Sequence, residues 1–159
     1  MIEGYGFSIW YIPINYKELQ KIYNIQHIPH ITYQSNFETF NDAEQVYQKI
    51  NPIINVEFIS KIIFFPQMYQ NDPLLGCGFY IKKSQYLNLT FDPHLTTKYF
   101  IPNKELNKNI KTEIDKYLQS VNSFKIPKSI TCFKAISDNR ILDANNWKII
   151  KYNLNESNH

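Results

Sequence analysis

The chain has 159 residues, of which 43% are apolar and 16% aromatic, so it can bury a core and is not intrinsically disordered. Its formal net charge of +3 is too small to indicate a nucleic-acid-binding protein, although a local basic cleft stays compatible with it. The two cysteines are far apart, and no signal-peptide pattern or long apolar run is present, so we expect a cytoplasmic protein without membrane contact or an evident obligate protein partner.

The first half of the chain alternates strand and helix patterns. Pro13 closes the first strand pattern, and Pro29 disfavours helix before it and opens the next strand. Glu44 occupies the capping-box position three residues after the expected helix start. The predicted elements are a strand over residues 4–12, a short helix over 16–23, a strand over 30–33, a helix from Asn41 and a strand over 53–65.

The second half repeats this order. Asn103 follows Pro102, and apolar residues at helical spacing come after it. Together they predict a helix after the strand that contains the second histidine motif, residues 94–100. The predicted elements are a strand over 76–82, a short strand or connection over 86–89, a strand over 94–100, a helix over 103–118, and strands over 124–136 and 147–154 joined by a turn-rich segment. The pattern predicts an α+β fold with mostly antiparallel sheet.

Two short motifs mark equivalent places in the halves. Each of the hexapeptides G-Y-G-F-S-I and G-C-G-F-Y-I precedes an H-x-T tripeptide, His30-Ile31-Thr32 in the first half and His94-Leu95-Thr96 in the second. A helix pattern and a strand pattern then follow each tripeptide. We interpret this order as a degenerate internal duplication, with approximate halves 1–72 and 73–154 in a single domain spanning 1–159.

The residue types of the H-x-T motif suit phosphoryl transfer. In a strand, side chains two residues apart share a face, so each motif presents an imidazole beside a hydroxyl. Two imidazoles can act as base and acid near neutral pH, and hydroxyls can bind the non-bridging oxygens of a phosphate. One such tripeptide is usually structural, but two at equivalent positions favour His30, Thr32, His94 and Thr96 as catalytic residues, without assigning acid and base.

These motifs and the duplicated plan resemble the 2H phosphoesterase superfamily, whose pattern is two H-x-[ST]-x tetrapeptides. The resemblance implies a bilobal, pseudo-two-fold symmetric α+β fold, with two mostly antiparallel sheets, flanking helices and a central cleft lined by both motifs. It also implies catalysis without a metal or another cofactor. Thr97, in the fourth position of the second motif, is more polar than is usual in that family.

Residues beside the motifs are candidates for substrate binding. Tyr33, Lys98 and Tyr99 lie beside the motifs, and Trp10 could stack on a nucleobase. An aromatic side chain in a strand is normally part of the core, and a solvent-exposed lysine is an equally good interpretation of Lys98. By period-two alternation, Lys98 is expected on the same strand face as His94.

His27 lies three residues before His30 in the segment H-I-P-H, a spacing that could indicate a metal pair. Pro29 argues against the helix that such a pair needs, and no acidic ligand is nearby in the sequence. We therefore expect His27 to be a surface or packing residue, and no metal site.

Two hypotheses about function follow. The first is a metal-independent phosphodiesterase that hydrolyses a small nucleotide: a 2′,3′-cyclic phosphate, a 2′,5′-oligoadenylate or a cyclic dinucleotide such as cGAMP. The residue usage is typical of an AT-rich genome, and the resembled family has viral members. These two points add the hypothesis of a viral antagonist of nucleotide-based immune signalling in the host cytoplasm. The alternative is a non-catalytic RNA-binding or scaffold protein that retains the fold.

Overall fold

The computed structural model describes residues 6–69, 72–87, 89, 93–100, 116, 119, 128–140 and 147–152, with the backbone alone at 60–69, 72–77, 99 and 100. Strands predominate among these residues. In chain order the elements are β1 (Phe7–Pro13), α1 (Tyr16–Tyr23), β2 (Ile31–Phe37), α2 (Phe40–Tyr47), β3 (Ile53–Tyr69), β4 (Asp72–Ile81), β5 (His94–Phe100), β6 (Ser129–Asp138) and β7 (Lys148–Tyr152).

Six of these strands close into an antiparallel barrel. Their order is β1-β2-β5-β4-β3-β6, and β6 returns to pair with β1 from Phe7↔Asp138 to Pro13↔Cys132 without a register shift. The other edge of β6 pairs first with β3 and then with β7. Strand β7 therefore pairs with the part of this edge of β6 that lies beyond its pairing with β3.

The strand order carries a two-fold relationship. It is unchanged when β1 is exchanged with β4, β2 with β5, and β3 with β6. In each half the strand with the Gly-x-Gly-Phe segment pairs with the strand of its own H-x-T motif, as β1 with β2 and β4 with β5. The two motif strands, β2 and β5, meet at the junction of the halves.

The expected bilobal α+β fold, with two sheets and flanking helices around a cleft, is wrong. A single sheet closes on itself, because β1 pairs with β6 and β2 pairs with β5. Period-two patterns show which residues form strands and which face is apolar, but they do not show which edges pair. The pairings that close the barrel join segments from opposite ends of the chain, so local patterns could not reveal them.

All six barrel strands contribute side chains to the interior. This cluster also receives Leu19 and Tyr23 from α1, whose spacing places them on one face of that helix. The strand residues in the cluster are Tyr11, Ile31, Ile54, Val56, Phe79, Ile81, Leu95, Ile130 and Cys132. A barrel of this size is filled by its own side chains, so the interior is a packed core.

The second helix covers a neighbouring part of the core. Ala43 and Tyr47, one turn apart on α2, pack against Phe7, Ile9 and Ile136 from β1 and β6. The described helices, α1 and α2, have eight residues each, and no helix in the described part of the chain is long and apolar enough to cross a membrane.

Several predicted elements are confirmed, and one helix start is wrong. The helix over 16–23 and the strand over 94–100 have the predicted bounds. Helix α2 begins after Thr39, whose Oγ1 accepts a hydrogen bond from the backbone N–H of Asp42 at 3.1 Å, so Thr39 rather than Asn41 caps it. The expected helix over 103–118 lies outside the described residues, except at Lys116, which is helical.

The outer face of β1 is covered as well as the inner one, and all seven residues of β1 are buried. Its outward side chains belong to a second apolar cluster outside the barrel, formed by Trp10, Ile12, Phe133, Ala135 and Trp147. Ile28 packs against this cluster from the segment that precedes β2. This apolar cluster therefore covers the start of the first H-x-T motif.

Candidate active site

The two H-x-T motifs lie side by side on neighbouring antiparallel strands. Ile31 of β2 pairs with Leu95 of β5, and these are the central residues of the motifs. Both side chains belong to the barrel interior and are almost fully buried. Because side chains alternate along a strand, the flanking histidines and threonines face outwards. The structure brings both motifs together on one outer surface of the barrel.

The register determines which groups are neighbours across this junction. The strands run antiparallel at this pair, so His30 and Thr96 flank it on one side and Thr32 and His94 flank it on the other. His30 and Thr96 are buried, whereas Thr32 and His94 are half-buried.

His30 is held in an aromatic environment. Its ring stacks on the indole of Trp10, with ring centres 3.7 Å apart and planes 10° apart, and meets Trp147 edge to face at 5.9 Å. Its Nδ1–H donates to the carbonyl oxygen of Ile28 at 2.7 Å, since a carbonyl can only accept. In the neutral ring this bond leaves the lone pair on Nε2.

Burial keeps the His30 ring neutral. The pKa of His30 is lowered to about 3 by loss of hydration, the largest cause, and by repulsion from His27 and His94, while the bond to the Ile28 carbonyl opposes the shift. At neutral pH the ring of His30 is therefore neutral, and its low pKa makes it a weak proton acceptor.

The structure adds a third histidine to the two in the motifs. His27 is buried, and its Nε2–H donates to the carbonyl oxygen of Thr96 at 2.9 Å. The rings of His27 and His30 meet edge to face with centres 5.9 Å apart. Burial lowers the pKa of His27 to about 4, although its bond to Thr96 opposes the shift. His27 thus touches one motif and is hydrogen-bonded to the other.

One sequence signal could have indicated that His27 is buried. It lies between Ile25 and Ile28, and an apolar setting of this kind favours burial. A buried histidine normally has a hydrogen-bond partner. The partner of His27 is 69 residues away in the sequence, so sequence reasoning could not identify it.

The second motif lies at an irregularity of β5. Gly78 pairs with Thr96 and Cys77 pairs with Lys98, so Thr97 is an extra residue on β5. A bulge of this kind interrupts the alternation of faces. Thr97 is buried and Lys98 is exposed. The expectation that Lys98 shares the face of His94 depended on regular alternation, which the bulge removes.

The residues expected to bind substrate are dispersed. Trp10 is buried, and one face of its indole is occupied by His30. Tyr33 is half-buried and packs against the barrel core rather than among the outward groups. Lys98 is exposed on β5. The backbone of Tyr99 lies in β5, while its side chain is outside the described part of the structure.

A surface depression shares one residue with the surroundings of the second motif. It has a volume of about 260 Å³ and is lined by Ile59, Tyr80, Ile81 and Lys83. Tyr80 of β4 pairs directly with His94, so the two side chains lie on the same face of the sheet. The ring of Tyr80 therefore links the depression to His94, which is itself half-buried.

The described residues do not form a metal-binding cluster. Among them, no group of three or more His, Cys, Asp or Glu side chains is arranged to hold a metal ion. The two buried histidines each use one ring nitrogen to donate to a backbone carbonyl. Of the motif groups, His94 and Thr32 are half-buried, while His30 and Thr96 are buried beneath the outer surface.

No protein-family model and no curated protein matches the chain. The resemblance to the 2H phosphoesterases therefore depends on the two motifs, and their placement on adjacent strands is the structural observation that bears on it.

Proposed function

We propose that this protein is a metal-independent phosphodiesterase that hydrolyses a phosphodiester or cyclic phosphate of a small nucleotide by two-histidine acid–base catalysis. The observation that carries the proposal is the direct pairing of Ile31 with Leu95, which gathers two imidazoles and two threonines on one face. The resemblance to the 2H phosphoesterases supports the same assignment. Together, the two H-x-T motifs supply a base, an acid and two hydroxyl groups, which are the groups that such a hydrolysis needs.

His30 is the general base in this proposal. Burial keeps its ring neutral at pH 7, and its Nδ1–H is tied to the Ile28 carbonyl. The lone pair on Nε2 would take the proton of the attacking water, in an orientation fixed by the stack on Trp10, and the negative charge of a bound phosphate would raise the low pKa of the ring for this step. The hydrogen bond and the stack together select one tautomer and one ring plane.

His94 is the general acid. It is half-buried, so it is the motif histidine that water reaches more easily. His94 and His30 flank the same pair of residues, Ile31 and Leu95, on the outer face of their strands. The more exposed histidine is therefore the one that exchanges its proton with solvent between turnovers.

The reaction balances with these two groups and one water. The water oxygen forms a bond to phosphorus while its proton passes to Nε2 of His30. The bond from phosphorus to the ribose oxygen breaks, and that oxygen takes the proton of His94. Thr32 and Thr96 donate hydrogen bonds to the non-bridging oxygens as negative charge grows on them. Proton exchange with water then restores both histidines.

The depression that Tyr80 shares with the neighbourhood of His94 supports a small substrate. Tyr80 offers an aromatic ring and Lys83 a cation to that depression, and a volume of about 260 Å³ suits one nucleoside rather than a long strand. The candidate substrates are a 2′,3′-cyclic phosphate, a 2′,5′-oligoadenylate and a cyclic dinucleotide such as cGAMP. If the source is a virus, hydrolysis of such a messenger would antagonise nucleotide-based immune signalling in the host cytoplasm.

The test is hydrolysis in the presence of EDTA. The purified chain is incubated with a 2′,3′-cyclic nucleotide, a 2′,5′-oligoadenylate and cGAMP, and the products are resolved by chromatography. We expect hydrolysis of at least one substrate, and its loss in Thr96→Val, which removes the hydroxyl and keeps the shape. Thr96→Ser, which keeps the hydroxyl, is the matched control. A Thr96→Val variant with full activity would overturn the role of that hydroxyl.

A second candidate function follows from the burial of His30. With 5% of its surface exposed, a stack on Trp10 and an edge contact to Trp147, the first motif also fits a structural role in a non-catalytic RNA-binding or scaffold protein. Binding of a labelled oligonucleotide without any product on the three substrates would favour this alternative.

A further inference from the structure

We infer that His27 is a positioning residue, which holds the second H-x-T motif against the first through its bond to the Thr96 carbonyl. This inference rests on the proposed function, because Thr96 has a role in turnover only there. His27 lies outside both motifs, and its ring contacts His30 on one side and Thr96 on the other.

The junction that His27 spans has little backbone support. The ladder between β2 and β5 consists of the single residue pair Ile31↔Leu95. Strand β2 begins only at Ile31, and Pro29 just before it has no N–H to donate to β5. On the β5 side, the extra residue Thr97 interrupts the ladder with β4. Thr96 therefore lies where regular sheet hydrogen bonding is interrupted on both flanks.

The His27 side chain supplies a hydrogen bond across this junction. Its Nε2–H reaches the Thr96 carbonyl at 2.9 Å, the usual length of a backbone hydrogen bond in a sheet. Because the pair is buried, water cannot compete for the carbonyl. The bond ties the segment before β2 to the backbone of Thr96, and so fixes where the Thr96 hydroxyl lies relative to His30.

The ring of His27 also limits the movement of His30. The two imidazoles meet edge to face with ring centres 5.9 Å apart, while Trp10 stacks on the His30 ring. Loss of the His27 ring therefore affects both motifs, whereas loss of its Nε2–H alone affects Thr96. This difference allows the hydrogen bond to be tested separately from packing.

Two amide substitutions make that test. His27→Gln places an N–H donor near the position of the imidazole Nε2, whereas the shorter His27→Asn reaches only the position of Nδ1. Both remove the ring. We expect kcat to fall about 10–100-fold in His27→Asn with KM changed less than about 3-fold, because misplaced groups weaken the transition state more than substrate binding. His27→Gln should retain kcat within about 5-fold.

A readout independent of turnover accompanies the kinetics. The Thr96 carbonyl carbon and the Thr97 amide nitrogen belong to the peptide that accepts the bond, so their NMR chemical shifts should move in His27→Asn and stay near the native values in His27→Gln. Equal kcat for the native chain and His27→Asn, or an equal loss in both variants, would overturn the positioning role. A native chain that cleaves no substrate would instead overturn the proposed function, whatever the Thr96 shifts show.

Discussion

Ile31 of β2 lies directly opposite Leu95 of β5, and this apolar pair inside the barrel sets the geometry of the polar groups outside it. Each residue is the centre of an H-x-T tripeptide, so its burial turns the neighbouring His and Thr outwards. Strand pairing between the halves therefore brings the two motifs together, which a cleft between two lobes was expected to do. The proposed catalytic groups share one surface because the aliphatic residues between them share one core.

The first prediction distinguishes the two motif histidines by how much their substitution changes the stability of the fold. His94→Asn should lower kcat by about 10²–10⁴-fold, the usual contribution of a general acid, and leave the free energy of unfolding nearly unchanged because His94 is half-buried. His30→Phe should abolish turnover and also cost about 1–2 kcal/mol, since Phe keeps the stack on Trp10 but leaves the Ile28 carbonyl without its donor. Urea unfolding and initial rates measure both effects.

The control for this pair is Gln34→Ala, an exposed position on β2 outside the motif. It should match the native chain in rate and in unfolding midpoint. Native activity in His94→Asn would contradict the proposed acid, and an unchanged stability in His30→Phe would show that the Ile28 bond contributes little.

The second prediction is that the fold is acid-labile. Burial lowers the pKa of His27 to about 4 and of His30 to about 3, whereas an unfolded histidine titrates near 6.5. Between these values the unfolded chain binds more protons than the folded one, so the stability that is present above pH 6.5 is lost as the pH falls. The slope should be about 1 kcal/mol per pH unit for each histidine between pH 6 and 4.

Urea unfolding at pH 7, 6, 5 and 4.5 measures this slope. The matched control is His27→Gln, which cannot be protonated at that position and should show a shallower loss between pH 6 and 4.5. Equal slopes for the native chain and the variant would mean that His27 does not titrate with folding.

Local patterns predicted much of the secondary structure correctly, because they depend on neighbouring residues. The helix over 16–23 and the strand over 94–100 have the bounds that the sequence predicted. The start of α2 was misplaced, since both Thr39 and Asn41 are good capping residues and only tertiary packing selects between them.

The closure of the sheet and the environment of the site could not be predicted from the sequence. The contact of His27 with Thr96 joins residues that share no local pattern, and the bulge at Thr97 is seen only in the register of β4 with β5. Trp10 was considered as an aromatic residue that could stack on a nucleobase. The fold places the ring of His30 there instead.

The third prediction concerns two lysines near one tyrosine. Lys134 is buried, donates from Nζ to the Tyr47 carbonyl at 2.8 Å and lies 4.1 Å from the centre of the Tyr47 ring. The carbonyl belongs to the last residue of α2, where a cation is favourable. Lys134→Met should therefore cost about 2 kcal/mol in the free energy of unfolding.

Lys151→Met is the comparison for that variant. Lys151 is half-exposed, pairs with Glu44 at 2.8 Å and lies 5.4 Å from the same ring centre, so its loss should cost no more than about 0.5 kcal/mol. Similar costs for the two substitutions, measured by urea unfolding, would show that burial does not strengthen the Lys134 contacts.

The fourth prediction uses the two equivalent glycines of the repeated Gly-x-Gly-Phe segment. A Cβ on Gly78 would lie 2.0 Å from the carbonyl oxygen of Leu95 and 2.9 Å from Cα of Thr96. A Cβ on Gly6, which has a φ of +66°, would lie 2.5 Å from the carbonyl oxygen of Phe37. Either Ala substitution forces backbone apart and should cost about 3 kcal/mol or more.

Only one of these substitutions disturbs the proposed site. Gly78→Ala pushes β4 against the second motif, so turnover per folded molecule should fall along with stability. Gly6→Ala strains the far end of β2, where Phe37 lies, and should retain the native rate once the folded fraction is counted. Calorimetry gives the stability of each variant, and active-site concentration can be normalised by the folded fraction from circular dichroism. If the two variants lose activity per folded molecule equally, turnover does not depend on the geometry of β5 at Thr96.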